Sequence, residues 1–184
     1  YDVWTNYFRE KQYGLLNQSF GAWFGDYAMK TLVAGVGMMV FLLVIFAVIR
    51  AARRRWWLWG AGVMTLLAAG VMLIAPLFIM PLFNSFTEMP AGPLRDRIVA
   101  MARAKHIPAD HIYVSDASRQ SNRISANVSG LGPTVRITLN DTLLKRTGED
   151  EVLAVLGHEM GHYALGHVWR NIIAFGLIFL ALFA

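Results

Sequence analysis

The chain has 184 residues and no cysteine, which leaves room for a small domain plus membrane helices and excludes disulfides and thiolate metal ligands. Hydrophobic residues make up 56% and charged residues 16%, against about 45–50% and about 25% in typical soluble chains, so the composition favours membrane-spanning segments. Four arginines lie together in residues 50–55 and supply most of the net charge of +5, which excludes the broad basic face that nucleic-acid binding requires.

The first 30 residues are rich in aromatic side chains and carry charges of both signs. Gly14, Gly21 and Gly25 interrupt any long helical pattern here, because glycine is a poor helix former. The sequence therefore predicts an interfacial or loop segment over residues 1–30.

Two uncharged apolar runs follow, at residues 31–49 and 56–83. The first run has 19 residues, which at about 1.5 Å per residue nearly crosses a hydrocarbon core of about 30 Å. The second run begins with interfacial tryptophans, and the arginines at 50–55 form a juxtamembrane anchor between the runs. We predict a transmembrane helical hairpin over residues 31–83. A pair of buried helices of a soluble protein is the alternative. A signal peptide fits poorly, because no cleavage-like site follows the first run.

Residues 84–171 have the composition of a soluble domain. The Gly-Leu-Gly-Pro sequence at 130–133 predicts a turn that joins two strands into a β-hairpin. Helical or alternating spacing of apolar residues indicates the other elements. They are a helix over residues 93–104 and strands over residues 111–114, 123–128 and 134–139.

The sharpest motif of the sequence is His-Glu-Met-Gly-His at residues 158–162. Histidines four residues apart project from one face of a helix, so His158 and His162 can bind one tetrahedral Zn²⁺. Glu159 lies beside that metal and can take a proton from zinc-bound water, whose pKa zinc lowers to about 7. Ordinary hydrogen-bonded core histidines are the alternative.

The helix that carries this motif is predicted to start at Thr147, with Asp150 at the capping-box position. An uncharged stretch precedes the motif and predicts that the helix is buried, where unpaired polar side chains are costly. On a continuous helix His167 lies about 180° from His158, which argues against its being a third ligand and favours a second-shell or interfacial role. We expect the third ligand beyond residue 184.

The apolar segment 172–184 is too short to cross a bilayer and is predicted to be the start of a truncated transmembrane helix. Taken in order, the elements predict an α+β membrane protein: a transmembrane helical hairpin, then a zincin-like domain with a small β-sheet and an HExxH active-site helix, then the truncated helix. The predicted domain boundaries are residues 1–30, 31–83, 84–171 and 172–184.

Residues 151–167 resemble the active-site helix of the type I CAAX prenyl proteases. Residues 7–14, 75–87 and 136–143 are also similar to that family, which is related to the bacterial heat-shock membrane zinc proteases. The resemblance implies a multi-helix membrane chamber in which the two motif histidines and a glutamate on a later helix hold one zinc ion. It also implies cleavage of peptide bonds near prenylated C-termini or in membrane-associated proteins.

The predicted function is therefore a zinc-dependent membrane endopeptidase that acts on prenylated CAAX-type or other membrane-associated polypeptides. A broad-specificity quality-control protease of the membrane is the alternative, followed by a non-catalytic membrane scaffold. The expected partners are a polypeptide substrate and the lipid bilayer, without nucleic acid.

Two signals disagree on membrane orientation. The positive-inside rule places residues 50–55 in the cytoplasm, whereas the resemblance implies a multi-pass protein whose catalytic domain faces the cytoplasm, and we expect the latter. Within that domain, an extended peptide is most simply held by the edge of a sheet. Ser125, Ala126 and Asn127 are therefore predicted to bind substrate in the cleft beside His158; a paired interior strand is the alternative.

Overall fold

The computed structural model describes residues 1–108, 111–130 and 134–184. Of the two alternatives predicted for residues 1–30, an interfacial segment or a loop, the loop is wrong, because much of this part is helical. The chain turns at Gly14, whose φ is 66°, and a long helix then starts where the Ser19 side chain accepts a hydrogen bond from the Ala22 N–H. The elements are a π-helical turn (Trp4–Phe8), α1 (Arg9–Gln12) and α2 (Phe20–Ala52).

Gly21 and Gly25 lie inside α2 without ending it. Each interior glycine costs a helix about 1 kcal/mol relative to alanine, and aromatic packing offsets that cost here. The Trp23 ring is 7% exposed, lies 5.4 Å from the Tyr7 ring and stacks on Tyr27 at 5.2 Å. Contacts with the N-terminal turn therefore extend the helix further toward the N-terminus than the glycines predict.

Helices α2 and α3 (Trp56–Ile74) fold back on each other. The chain reverses at Arg53, where φ is 39° and ψ is −100°. The two helices pack closely at Gly60, where an added Cβ would lie 3.2 Å from Cδ1 of Ile45.

The predicted helix over residues 56–83 is regular α-helix only in its first part. Regular α-helix stops at Ile74, and a π-helical turn (Ala75–Ile79) and a 3-10 turn (Met80–Leu82) follow. Each of these turns contains a proline, which lacks the N–H that an α-helix requires. The prolines thus bring the chain out of the helix and toward the sheet.

The helical stretch Phe20–Leu82, which comprises α2, α3 and the turns beside them, is long and apolar enough to cross a membrane. Its most apolar 18-residue window has a mean hydropathy of 3.0 and is 6% buried. Among the described residues, one further candidate exists only if Glu149–Ala164 and His167–Phe183, bent by 53°, count as one span.

A four-stranded sheet of order β1-β2-β4-β3 follows, in which β2 and β4 are parallel and the outer strands are antiparallel to their neighbours. The predicted antiparallel pairing of β3 with β4 is confirmed, and residues 131–133 of the predicted turn lie outside the described residues. The three predicted strands are present with shifted ends, and β1 has no counterpart among them. The strands are β1 (Phe86–Glu88), β2 (His111–Ser115), β3 (Ala126–Ser129) and β4 (Arg136–Asn140).

One face of the sheet packs against helices and forms the core of the molecule. The predicted alternation of β4 is confirmed by Ile137 and Leu139, which are fully buried on this face. The core also takes in fully buried side chains of β2 and of the helices, among them Ile98, Ile112, Leu143, Leu156 and Met160. The helices of this part are α4 (Pro93–Ala104), α5 (Asp141–Arg146), α6 (Glu149–Ala164) and α7 (His167–Phe183).

Helix α7 joins the sheet-containing part to the N-terminal helices. The apolar segment 172–184 is its continuation, since α7 begins at His167. It packs along α3, where an added Cβ at Gly176 would lie 3.3 Å from Oγ1 of Thr65, and one at Gly60 would lie 3.1 Å from Phe183. Glycines on both helices therefore allow close packing of α3 and α7.

Candidate metal and active site

The N-cap of helix α6 is Gly148 rather than the predicted Thr147. The Thr147 hydroxyl donates to the carbonyl of Leu143 at 2.6 Å, so it closes the last turn of α5 and cannot cap α6. The Gly148 N–H donates instead to the Glu151 carboxylate at 2.8 Å. Arg97 of α4 bonds the first-turn acidic side chains, and carboxylates there also favour the positive end of the helix dipole.

The two faces of α6 differ sharply. Val152, Leu156 and Met160 recur every fourth residue and are at most 1% exposed. His158 and His162 lie on another face and are exposed. The expectation that the whole helix is buried is therefore wrong; one face anchors α6 in the core, and the other presents the motif histidines.

The two motif histidines converge on one point. Nε2 of His158 lies 3.0 Å from Nε2 of His162, and the rings meet edge to face with centroids 4.6 Å apart. Two nitrogens bound to one tetrahedral zinc at about 2.0–2.1 Å are about 3.3 Å apart, so a small outward rotation of the rings would admit the ion. The donor pair present here fits zinc.

Glu159 follows the first of these histidines and is partly buried on α6. In the described part of the chain, no group of three or more His, Cys, Asp or Glu side chains is gathered where it could hold a metal. The candidate centre thus consists of a histidine pair with an adjacent carboxylate.

His167 lies elsewhere than a continuous helix predicts. Helix α6 ends at Ala164, Gly166 adopts φ 64°, and α7 continues at 53° to α6. Nδ1 of His167 comes to 2.5 Å from Nδ1 of His162, on the side of that ring away from His158. The angular argument about His167 is wrong because it assumed one helix; the glycine one residue before it was the available signal for a break.

Strand β3 is an edge strand of the described sheet, paired on one side with β4. The Asn140 N–H donates to the Ser125 carbonyl, so Ser125 and Asn140 form a hydrogen-bonded pair at the end of this ladder. Because such pairs alternate, the N–H and C=O of Ala126 and Val128 point away from β4, toward the open edge. The side chains of Ala126 and Val128 pack against the core cluster that contains the buried face of α6.

Ser125, Ala126 and Asn127 line a cavity of about 220 Å³ near the other face of the sheet. Met80, Phe86 and the buried Thr138 line it as well, and among the described residues no motif side chain does. The Asn127 Oδ1 atom is buried without a hydrogen-bond partner among the described atoms. The structure thus places Ala126 and Asn127 on the edge strand and Ser125 directly before it, in a cavity that none of the described motif side chains lines.

Asn140 positions the segment before β3 and was missed by the sequence analysis. Its side chain is buried, donates to the Arg123 carbonyl at 2.7 Å, and accepts from the N–H groups of Ser125 and Leu143, each at 3.0 Å. Residues 123–125 are therefore held mainly by the Asn140 side chain, with one backbone bond from the Asn140 N–H to the Ser125 carbonyl, instead of by the predicted continuous strand. An asparagine directly before an apolar helical pattern is an N-cap signal that could have identified it.

Asp141 begins α5 and links it to the loop before β3. Its carboxylate accepts hydrogen bonds from Lys145 Nζ at 2.7 Å, from the Ser118 N–H at 2.8 Å and from the Ser118 hydroxyl. Partial burial opposes its ionisation, but the bonds from Lys145 and Ser118 outweigh burial and lower the pKa of Asp141 to about 2. Its role is structural, and it is not a metal ligand in the candidate centre.

Known protein families match nearly the whole length of the chain. Residues 88–184 match peptidase family M48, and residues 1–85 match the family described as CAAX prenyl protease N-terminal, five membrane helices. The uncharacterized metalloprotease YhfN of Bacillus subtilis is 31% identical over 97% of this chain and 42% of its own length. The probable CAAX prenyl protease 1 of Schizosaccharomyces pombe is 31% identical over all of this chain and 39% of its own length.

A solved structure agrees with these sequence matches. The crystal structure of S. mikatae Ste24p superposes with a TM-score of 0.91 at 28% sequence identity, over 99% of this chain and 42% of that one. The chain therefore spans about two fifths of the length of the proteins it matches.

Proposed function

Because the chain belongs to peptidase family M48 and its N-terminal part matches the membrane helices of CAAX prenyl proteases, we propose that the protein is a zinc-dependent membrane endopeptidase. The convergence of the His158 and His162 Nε2 atoms, 3.0 Å apart on the exposed face of α6, carries this proposal. Two neutral imidazoles at this spacing suit one zinc ion, which needs a further protein ligand. We assign that ligand to a carboxylate outside this sequence, as in the family that the motif resembles.

In this proposal, the metal, Glu159 and helix α6 have separate roles in peptide hydrolysis. Zinc, when bound, lowers the pKa of a bound water and polarises the scissile carbonyl. Glu159 lies one residue after a candidate ligand and would accept a proton from the attacking water and return it to the leaving amine. The buried face of α6 holds these side chains at fixed positions against the sheet.

Substrate binding is proposed for the open edge of β3. The outward N–H and C=O of Ala126 and Val128 match the backbone of an extended peptide that adds to the sheet as a further strand. The Ser125 backbone at the start of this edge is fixed by Asn140, whose side-chain oxygen accepts from the Ser125 N–H at 3.0 Å. A peptide added in this way would pair its backbone with the outward N–H and C=O groups of Ala126 and Val128.

The substrate class follows from the membrane setting. Relatives that cover the whole chain are described as CAAX prenyl proteases, and much of the exposed surface of α2 and α7 is apolar. We propose prenylated CAAX-type or other membrane-associated polypeptides as substrates, and a multi-pass protein whose catalytic part faces the cytoplasm. A broad-specificity membrane protease would instead cleave without regard to prenylation.

The experiment that tests this function uses the full-length protein with Glu159→Gln. We expect unchanged zinc content and a loss of peptidase activity of about 10²–10⁴-fold, since a general base contributes about that much. Cleavage of a farnesylated peptide and its unprenylated counterpart would be measured side by side. Wild-type turnover by the variant would disprove the catalytic assignment, and equal cleavage of both peptides would favour the broad-specificity protease.

A further inference from the structure

Both ring nitrogens of His162 face another histidine. Nε2 lies 3.0 Å from Nε2 of His158, and Nδ1 lies 2.5 Å from Nδ1 of His167. The ring centroids of His162 and His167 are 4.8 Å apart and the ring planes are inclined by 58°, so the two rings are neither stacked nor perpendicular. His162 is thus the central member of a row of three imidazoles.

We propose that His167 is a positioning residue that holds His162 in the orientation and tautomer needed for metal binding. This inference rests on the proposed function, in which His158 and His162 bind zinc. A metal-binding nitrogen must be unprotonated, so the single proton of neutral His162 resides on Nδ1 when Nε2 binds the metal. Nδ1–H then donates to the lone pair of His167 Nδ1, and His167 carries its own proton on Nε2.

The fold fixes His167 in place for this role. His167 is the first residue of α7 and follows Gly166, whose φ of 64° produces the 53° bend from α6. Close packing of Gly176 against Thr65 holds α7 along α3. The acceptor is therefore carried by a helix anchored outside α6, which makes the orientation of His162 independent of rotamer changes within its own helix.

The geometry also separates this role from that of a third ligand. His167 approaches the nitrogen of His162 opposite to the one that faces His158. A side chain on that side supports the ligand instead of sharing the ion. Outer partners of this kind typically raise metal affinity by about 10–100-fold.

A matched pair of amide variants in the full-length protein tests this role. In His167→Asn the side-chain oxygen takes the place of Nδ1, whereas in His167→Gln it takes the place of Nε2. We expect His167→Asn to retain nearly wild-type zinc affinity and His167→Gln to lose about 10–100-fold, measured by competition with a chelator. His106→Asn removes an exposed imidazole elsewhere and is expected to leave zinc affinity unchanged.

The outcomes distinguish this inference from the proposed function. Thermal unfolding of the zinc-free proteins verifies that both amide variants fold, so a difference in affinity reports on the acceptor position. Equal zinc affinity in wild type, His167→Asn and His167→Gln would overturn the positioning role while leaving the metal site intact. Zinc retention by His158→Ala combined with His162→Ala would instead overturn the metal site itself.

Discussion

At the residue scale, Asp141 shows how strongly one carboxylate can be held by its neighbours. Its pKa falls from 3.8 to about 2, with burial opposed by the bonds from Lys145 and Ser118. A carboxyl with a lowered pKa in the folded state contributes stability above its unfolded pKa and loses it as the pH falls through the folded value. The contribution of Asp141 is therefore present at neutral pH and disappears between about pH 4 and about pH 2.

We expect Asp141→Asn to lower the unfolding free energy at pH 7 by an amount on the order of 1 kcal/mol, since Lys145 is largely exposed and its charge is screened. The difference from wild type should shrink as the pH falls from about 4 to about 2. Thermal unfolding of the purified protein across this pH range measures it. Glu88→Gln, which breaks an exposed ion pair with Arg95, is the control and should change stability little at any pH. A constant deficit of Asp141→Asn at all pH values would contradict the assignment.

At the element scale, β3 has two edges with different tasks. One edge pairs with β4, and the other presents the N–H and C=O of Ala126 and Val128. A proline at position 126 removes a donor from the open edge without removing a hydrogen bond to β4. Substitution there would separate the proposed substrate binding from sheet formation.

We expect Ala126→Pro to raise KM or abolish peptide cleavage while zinc content stays at the wild-type level. Steady-state kinetics of the full-length protein, together with metal analysis, measure both quantities. Ala126→Ser keeps the N–H and is the matched control, so its kinetics should resemble wild type. Unchanged kinetics in Ala126→Pro would show that substrate does not pair with this edge.

At the scale of the whole molecule, α2, α3 and α7 meet near the C-terminal end of α7, the helix that begins at His167. Gly60 lies at this point, with Ile45 and Phe183 each within 3.3 Å of the position that a Cβ would take. A larger side chain would push these helices apart, and overpacking typically costs about 1–3 kcal/mol.

We expect Gly60→Leu to lower the melting temperature of the full-length protein and to weaken zinc binding, because α7 also carries His167. Gly62→Leu, on the same helix at a position with no atom within 4 Å among the described residues, is the control. Comparison of thermal unfolding and zinc affinity for the two variants tests the coupling. Equal effects of both substitutions would show that the three-helix contact is not responsible.

What the sequence predicted well depends on short-range spacing. The proximity of His158 and His162 requires only one turn of helix, and the burial of Ile137 and Leu139 on the same face requires only a strand. Both follow from residues close together in the chain, so the structure agrees with them. The long apolar runs likewise predicted helices because composition alone suffices for that.

The features that escaped prediction are set by contacts between distant segments. The start of α2 depends on Tyr7 packing against Trp23, and the position of His167 depends on α7 docking along α3. Asn140 binds the segment before β3 through its side chain, which no local pattern of that segment reveals. Such contacts become visible only when the chain is folded.

The open edge of β3 also has a consequence for how this protein is made. An unpaired strand edge binds the backbone of any extended chain, so it can recruit another newly made copy and seed aggregation. The strand limits that hazard by its length, since Ala126–Ser129 offers four residues and hence few hydrogen bonds to an unwanted partner. The short length of β3 would therefore balance two demands: enough backbone to bind the proposed peptide substrate, and too little to pair stably with another unfolded copy before the helices pack.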